Sequence, residues 1–182
     1  MSREKQAHIK GHSFILIELL QEEKFKRFAE IGVWKSHTTK RILKRETGLE
    51  EYWAIDPWDT EFACSRTEKR RDEKSWFLMH WYCCTLMMYF PQLKVVKMTS
   101  EQASTIFPDG YFDMVYIDAV HTFEHMDADI GFWLPKVRKG GIIGGHDYGG
   151  KRWTGVKEAV DKWFGEENIK VWDIDEVWIK RV

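Results

Sequence analysis

The chain has 182 residues and balances 28 Lys and Arg against 29 Asp and Glu. It is long enough to bury one core and has none of the basic field that dominates nucleic-acid binding, so a small-molecule partner is favoured over nucleic acid. Its start is charged with only a short apolar run, and the longest apolar stretch, 76–90, is broken by His80, which argues against a secretory leader or a membrane span.

The elements follow in chain order. Ser13 is placed to cap a helix over FILIELLQEEKFK, where Ile15, Leu19 and Leu20 recur at helical spacing, and RFAEIG then reads as a strand. SHTTKRILKRETG, 36–48, predicts a second helix with hydroxyl caps, Ile42 and Leu43 inward and Gly48 as its stop. EYWAIDPW, 51–58, is a strand that ends at Asp56-Pro57, because proline cannot continue a ladder. The charged segment 67–74 reads as solvated, and an apolar helix over 75–90 precedes Pro91. LKVVKM, 93–98, is a strand, SEQASTIF, 100–107, a short helix, and FDMVYIDAV, 112–120, a buried strand.

From Thr122, the residues Phe123, Met126, Ile130, Trp133, Leu134 and Val137 keep helical spacing up to Pro135 and a turn at Lys139-Gly140. GIIGGHDY, 141–148, supplies a fifth strand, VKEAVDKWFG a helix capped by Gly165, and 169–182 two strands around the acidic turn Asp173 to Asp175. Strands that close in sequence pair antiparallel. About seven strands, five of them alternating with helices, make an α/β sheet covered on both faces, and the length suits a single domain over 1–182. Within it, 59–92 reads as a lid, a homodimer surface or a plain covering helix. Cys64, Cys83 and Cys84 form no C-x-x-C pair and read as reduced thiols, which points to the cytoplasm.

In a parallel sheet, ligands bind beyond the carboxyl ends of the strands. Those ends carry Glu30-Ile31-Gly32, Asp56, Ser100-Glu101, Asp118 and His146-Asp147. A dinucleotide would need a G-x-G-x-x-G turn, yet the next glycine after Gly32 is Gly48. A nucleoside donor without phosphate fits better, since acids and one close backbone approach satisfy it.

On the strength of Glu30-Ile31-Gly32-Val33-Trp34-Lys35-Ser36, close to E-x-G-x-x-x-G, and of the stretch from Phe112 to Tyr148, the sequence resembles the class I S-adenosylmethionine-dependent methyltransferases, in their small-molecule O-methyltransferase branch. Ser36 stands where the pattern has its second glycine, and adds a Cβ at a position that favours positive φ. The resemblance implies a Rossmann-like, seven-stranded, mostly parallel sheet with a C-terminal antiparallel hairpin, S-adenosylmethionine as methyl donor and a small hydroxylated acceptor. It implies that Glu30, Val33, Trp34 and Ser36 contact the cofactor, that Gly32 admits its methionine portion, that Asp56 takes the ribose hydroxyls, that Trp58 stacks on adenosine, and that Ser100 and Glu101 border the adenine. Asp118 then adjoins both cofactor and chemistry.

Methyl transfer needs an aligned nucleophile and a base for its proton. His121 and His146 are the candidate bases beside Asp118 and Asp147. By the same resemblance, Asp118, His146 and Asp147 are candidate ligands of Mg²⁺ or another divalent metal, imidazole suiting Mn²⁺, Fe²⁺ or Zn²⁺ better. HTFEH, 121–125, also matches H-x-x-E-H, a zinc-hydrolase pattern that requires both histidines on one helix face. A binding domain that has kept the fold and lost the chemistry is the third reading.

Overall fold

The computed structural model describes residues 11–62, 71–149, 153–173 and 176–182. The chain runs α1 (His12–Glu23), β1 (Arg27–Ile31), α2 (His37–Leu43), β2 (Glu51–Asp56), α3 (Glu73–Leu86), β3 (Leu93–Lys97) and α4 (Ser100–Ser104). It continues through β4 (Phe112–Ile117), α5 (Phe123–Trp133), β5 (Val137–Gly145), α6 (Thr154–Phe164), β6 (Lys170–Trp172) and β7 (Val177–Arg181). The seven strands lie in the order β3-β2-β1-β4-β5-β7-β6. The first five are parallel, and β7 returns antiparallel to β5 and pairs antiparallel with β6. This is the expected Rossmann-like arrangement, with the order reversing between β1 and β4.

Alternation along the central strands divides the core in two. Phe28, Tyr52, Met114 and Tyr116 face α1 and α3, whereas Ala29, Ile31, Val115 and Ile117 face α5 and α6. β4 is buried along its whole length, so FDMVYI is apolar except for Asp113, whose carboxylate accepts the N–H groups of Lys26 and Arg27 and pairs with Arg138. The inner face of α3 contributes Trp76, Cys83 and Leu86 to the first core, and its outer face leaves Phe77 and Trp81 exposed.

Several boundaries differ from the sequence expectation for identifiable reasons. Ser13 is not a cap; Gly11 holds that place, and Ser13 is buried inside α1, where its hydroxyl accepts from Arg41 Nη1 at 3.3 Å. α2 ends at Leu43 rather than at Gly48, and Ser36 precedes it in the left-handed region without a side-chain cap bond. β5 starts at Val137, and the expected turn at Lys139-Gly140 survives as an irregularity inside it. Between the pairs Phe112–Val137 and Met114–Ile142, β4 advances two residues while β5 advances five. The charged segment 67–74 and the turn Asp173 to Asp175 lie partly, and Cys64 wholly, outside the described residues. Among the described residues no helix is long and apolar enough to cross a membrane.

Candidate functional site

A crevice of about 800 Å³ opens at the carboxyl ends of β1, β2 and β4, beside the switch in strand order. Backbone bonds carry the ladder past the strand ends: Asp118 N–H donates to Ile31 O at 2.7 Å and Gly32 N–H to Ile55 O at 2.9 Å. Gly32 turns the chain away with φ +89°, and a Cβ there would lie 2.1 Å from the Asp118 carbonyl oxygen. Only glycine lets these two strand ends approach so closely.

Asp56 then ties the loops together. Its Oδ2 accepts the N–H groups of Val33 at 2.9 Å and Trp34 at 2.8 Å, and its Oδ1 accepts Trp58 N–H at 2.6 Å. Trp34, Ser36, Trp58 and Asp147 all have positive φ, so left-handed non-glycine backbone collects in the loops leaving β1, β2 and β5. Strain of this kind concentrates where a site is held in shape.

Of the residues expected to bind a nucleoside donor, Glu30, Gly32, Val33, Trp34, Asp56, Ser100, Glu101 and Asp118 line the crevice. Trp58 and Ser36 do not. Trp58 is 2 % exposed, packs against the His80 ring at 4.8 Å and donates from Nε1 to Trp34 O at 2.9 Å, so it braces the loops from beneath. Trp34 is the tryptophan of this pair that lines the crevice. Ser36 is fully buried behind the loop, with the positive φ that the sequence pattern anticipates for a glycine.

Glu30 is 2 % exposed, and its Oε2 accepts from Thr39 Oγ1 at 2.5 Å and Tyr52 OH at 2.6 Å. Burial pushes its pKa from the ordinary 4.5 up to about 8, against those two hydrogen bonds, which lower it. The folded protein thus keeps a proton that the unfolded chain releases. The stability this contributes is complete below about pH 4.5 and is lost as pH rises through about 8, on the order of 4 kcal/mol across that window. Glu30→Gln retains an acceptor for both hydroxyls and cannot titrate. Urea unfolding should show the variant losing far less stability than wild type between about pH 5 and pH 8, and parallel profiles would refute this assignment.

The end of β4 and the exit of β5 bring four polar side chains together. His121 Nε2 lies 2.8 Å from Asp147 Oδ2 and 3.3 Å from Asp118 Oδ1. His146 Nδ1 is 3.3 Å from the same Asp147 oxygen and 3.9 Å from Asp118 Oδ1. Burial alone would raise the Asp147 pKa, but the bonds from His121 and His146 hold it well below the usual carboxylate range. Burial works against protonated His146, yet Asp147 and Asp118 raise its pKa above the ordinary value. Trp153 covers the His121 ring at 4.8 Å. Gly155 allows α6 to start against α5, since a Cβ there would meet Phe123 N at 2.4 Å.

Ligand atoms of Asp118, His121 and Asp147 fall within 4.8 Å of one another, so this trio could hold a divalent metal. His146, the third ligand expected from the sequence, stands farther from both carboxylates than His121 does. The H-x-x-E-H reading fails on geometry. His121 precedes α5 and turns toward Asp147, while His125 sits inside the helix with Nδ1 2.9 Å from Thr122 Oγ1, so the two share no helix face.

Several lining residues escaped the sequence reading. His12, from the start of α1, has Nε2 2.7 Å from Thr38 Oγ1 and its ring 4.6 Å from that of His146. Nothing local marks it. Asp129 on α5 is 6 % exposed, and burial pushes its carboxyl up to about 6 against a hydrogen bond with Ser100. Trp133 Nε1 donates to that same Ser100 hydroxyl at 2.8 Å. A charged residue on the apolar face of a helix was the available signal for Asp129.

A family profile described as a methyltransferase domain matches residues 29–148. No curated protein sequence matches the chain. Solved structures share the fold. One is a candidate caffeoyl-CoA O-methyltransferase from Staphylococcus aureus, 12% identical, with a TM-score of 0.62 over 98% of this chain and 82% of that one. Another is a TDP-rhamnose 3′-O-methyltransferase of calicheamicin biosynthesis, 14% identical, with a TM-score of 0.60 over 99% and 80%. A third, an O-methyltransferase from Bacillus cereus solved with SAH, is 14% identical, with a TM-score of 0.56 over 95% and 81%.

Proposed function

The chain belongs to the methyltransferase-domain family, and on that premise we propose that it moves the sulfonium methyl of S-adenosylmethionine to an oxygen of a small hydroxylated acceptor. The observation that carries this reading is convergence: Glu30, Asp56, Asp118 and His121, from three strand ends and the following loop, line one crevice. Acids suit a donor that carries an ammonium and a ribose diol and has no phosphate. A G-x-G-x-x-G turn is not needed for it.

In this reading Gly32, Val33 and Trp34 border the methionine portion, Asp56 fixes their loop and the ribose edge, and Ser100 and Glu101 border the adenine. Burial keeps the proton on Glu30 at neutral pH, and an arriving ammonium favours its release. His121, oriented by Asp118 and Asp147, takes the acceptor proton as the oxygen–methyl bond forms and the sulfur–methyl bond breaks. Two carboxylates and an imidazole form a donor set that fits a divalent cation, with Mn²⁺, Fe²⁺ or Zn²⁺ favoured by the imidazole. A metal held by Asp118, His121 and Asp147 would instead bind the acceptor oxygen and lower its pKa, with His121 then a ligand and not the base.

Calorimetric titration tests the reading directly. S-adenosylmethionine and S-adenosylhomocysteine should both bind the wild-type chain, with and without Mg²⁺ or Mn²⁺. Asp56→Ala should abolish binding by freeing the Val33-Trp34 loop. Absence of binding to wild type under all these conditions would remove the proposal.

A further inference from the structure

The crevice has a neighbour. A cavity of about 490 Å³ adjoins it, and Lys35 and His37 belong to the walls of both. Lys40, Arg71, Ser75 and Tyr82 supply the rest of its polar lining, which among the described residues contains no carboxylate. Among the described residues, no acidic side chain lies within ion-pairing distance of Lys35, Lys40 or Arg71, whereas Lys26, Lys136, Lys157 and Arg138 each have such a partner.

Among the described residues the three cations make only neutral contacts. Lys40 Nζ donates to Tyr82 OH at 2.7 Å, and Lys35 Nζ sits 4.2 Å from the Trp34 ring centroid. The Arg71 guanidinium lies 5.9 Å from that same centroid, and its Nε–H is buried without an acceptor among the described residues. Gathering like charges around one hollow costs energy that an entering anion recovers.

We propose that this groove binds a phosphate group carried by the methyl acceptor, so that the acceptor spans from Lys40 and Arg71 into the crevice. The inference rests on the methyl-transfer reading above and narrows its acceptor to phosphorylated hydroxyl compounds. One guanidinium fork and two ammonium groups match the several oxygens and near-double charge of a phosphate monoester; a carboxylate satisfies only part of them. The donor has no phosphate, and its single carboxylate would leave most of this charge unmatched.

Inorganic phosphate and pyrophosphate serve as probes, with chloride at matched ionic strength and acetate as controls. Both phosphates should raise the Tm of the full chain beyond chloride and acetate. Lys40→Gln with Arg71→Gln should weaken phosphate binding by about tenfold or more, as expected for lost charge-assisted bonds. Lys40→Arg should retain phosphate binding, and S-adenosylhomocysteine should bind the double variant as it binds wild type. The proposal is overturned if acetate or chloride equals phosphate, or if the double variant keeps wild-type phosphate affinity. It is equally overturned if the variant loses S-adenosylhomocysteine and phosphate together, for then the cations serve the donor. Failure of the methyl-transfer reading looks different: phosphate binds wild type and S-adenosylhomocysteine does not, which removes the acceptor assignment.

Discussion

Gly32→Ala should destabilise the protein by at least about 3 kcal/mol and abolish S-adenosylhomocysteine binding in whatever folded protein remains. Two independent costs combine at this position. The backbone has φ +89°, which an L side chain rarely adopts, and the added Cβ would stand 2.1 Å from Asp118 O and 2.6 Å from Asp118 C. Neither atom can yield cheaply, because Asp118 N–H is bonded to Ile31 O and the neighbouring strand β4 is buried on both faces. Relief therefore requires β1 and β4 to separate at the end where the crevice forms. Urea denaturation gives the first quantity and calorimetry the second; a variant within about 1 kcal/mol of wild type would show that the two strand ends are freer than this geometry allows.

His121→Ala should lower methyl transfer about 10²- to 10⁴-fold, the usual contribution of a positioned acid–base group, while S-adenosylhomocysteine affinity changes by no more than about threefold. The separation follows from placement. His121 contacts Asp118, Asp147 and the Trp153 ring, whereas the loop after β1 is fixed by Asp56 and Gly32. The measurement is S-adenosylhomocysteine release with a panel of hydroxylated acceptors that includes phosphorylated phenols and sugars. Asp147→Asn should act in the same direction, because it removes the carboxylate shared by His121 and His146. Undiminished turnover in His121→Ala would move the base elsewhere, and His146 would be the next group to replace.

Much of this architecture is readable along the chain because burial leaves a local imprint. From Met114 to Ile117 β4 is an unbroken apolar run, and it ends where Asp118 meets the crevice. β1 turns away at Gly32 just after Glu30, and β2 stops at Asp56-Pro57, where proline has no donor to continue the ladder. Loop side chains leave no such imprint. Trp34 and Trp58 both follow strand ends and both have positive φ, yet one faces the crevice and the other is buried. The difference lies in the Asp56 and Trp34 carbonyl bonds that pull Trp58 beneath the loop, and those depend on two strands being neighbours.

The sequence alone determined the alternation of strands and helices, the acids that end β1, β2 and β4, and the glycine between them, because each follows from periodicity or from what a ladder can carry. Tertiary structure decided which of those ends meet. It set His12 against His146, more than a hundred residues away, chose His121 over His146 as the closer partner of both carboxylates, and gathered Lys35, Lys40 and Arg71 beside the crevice. Such pairings are set by strand order and loop direction in space, and no window of neighbouring residues contains either.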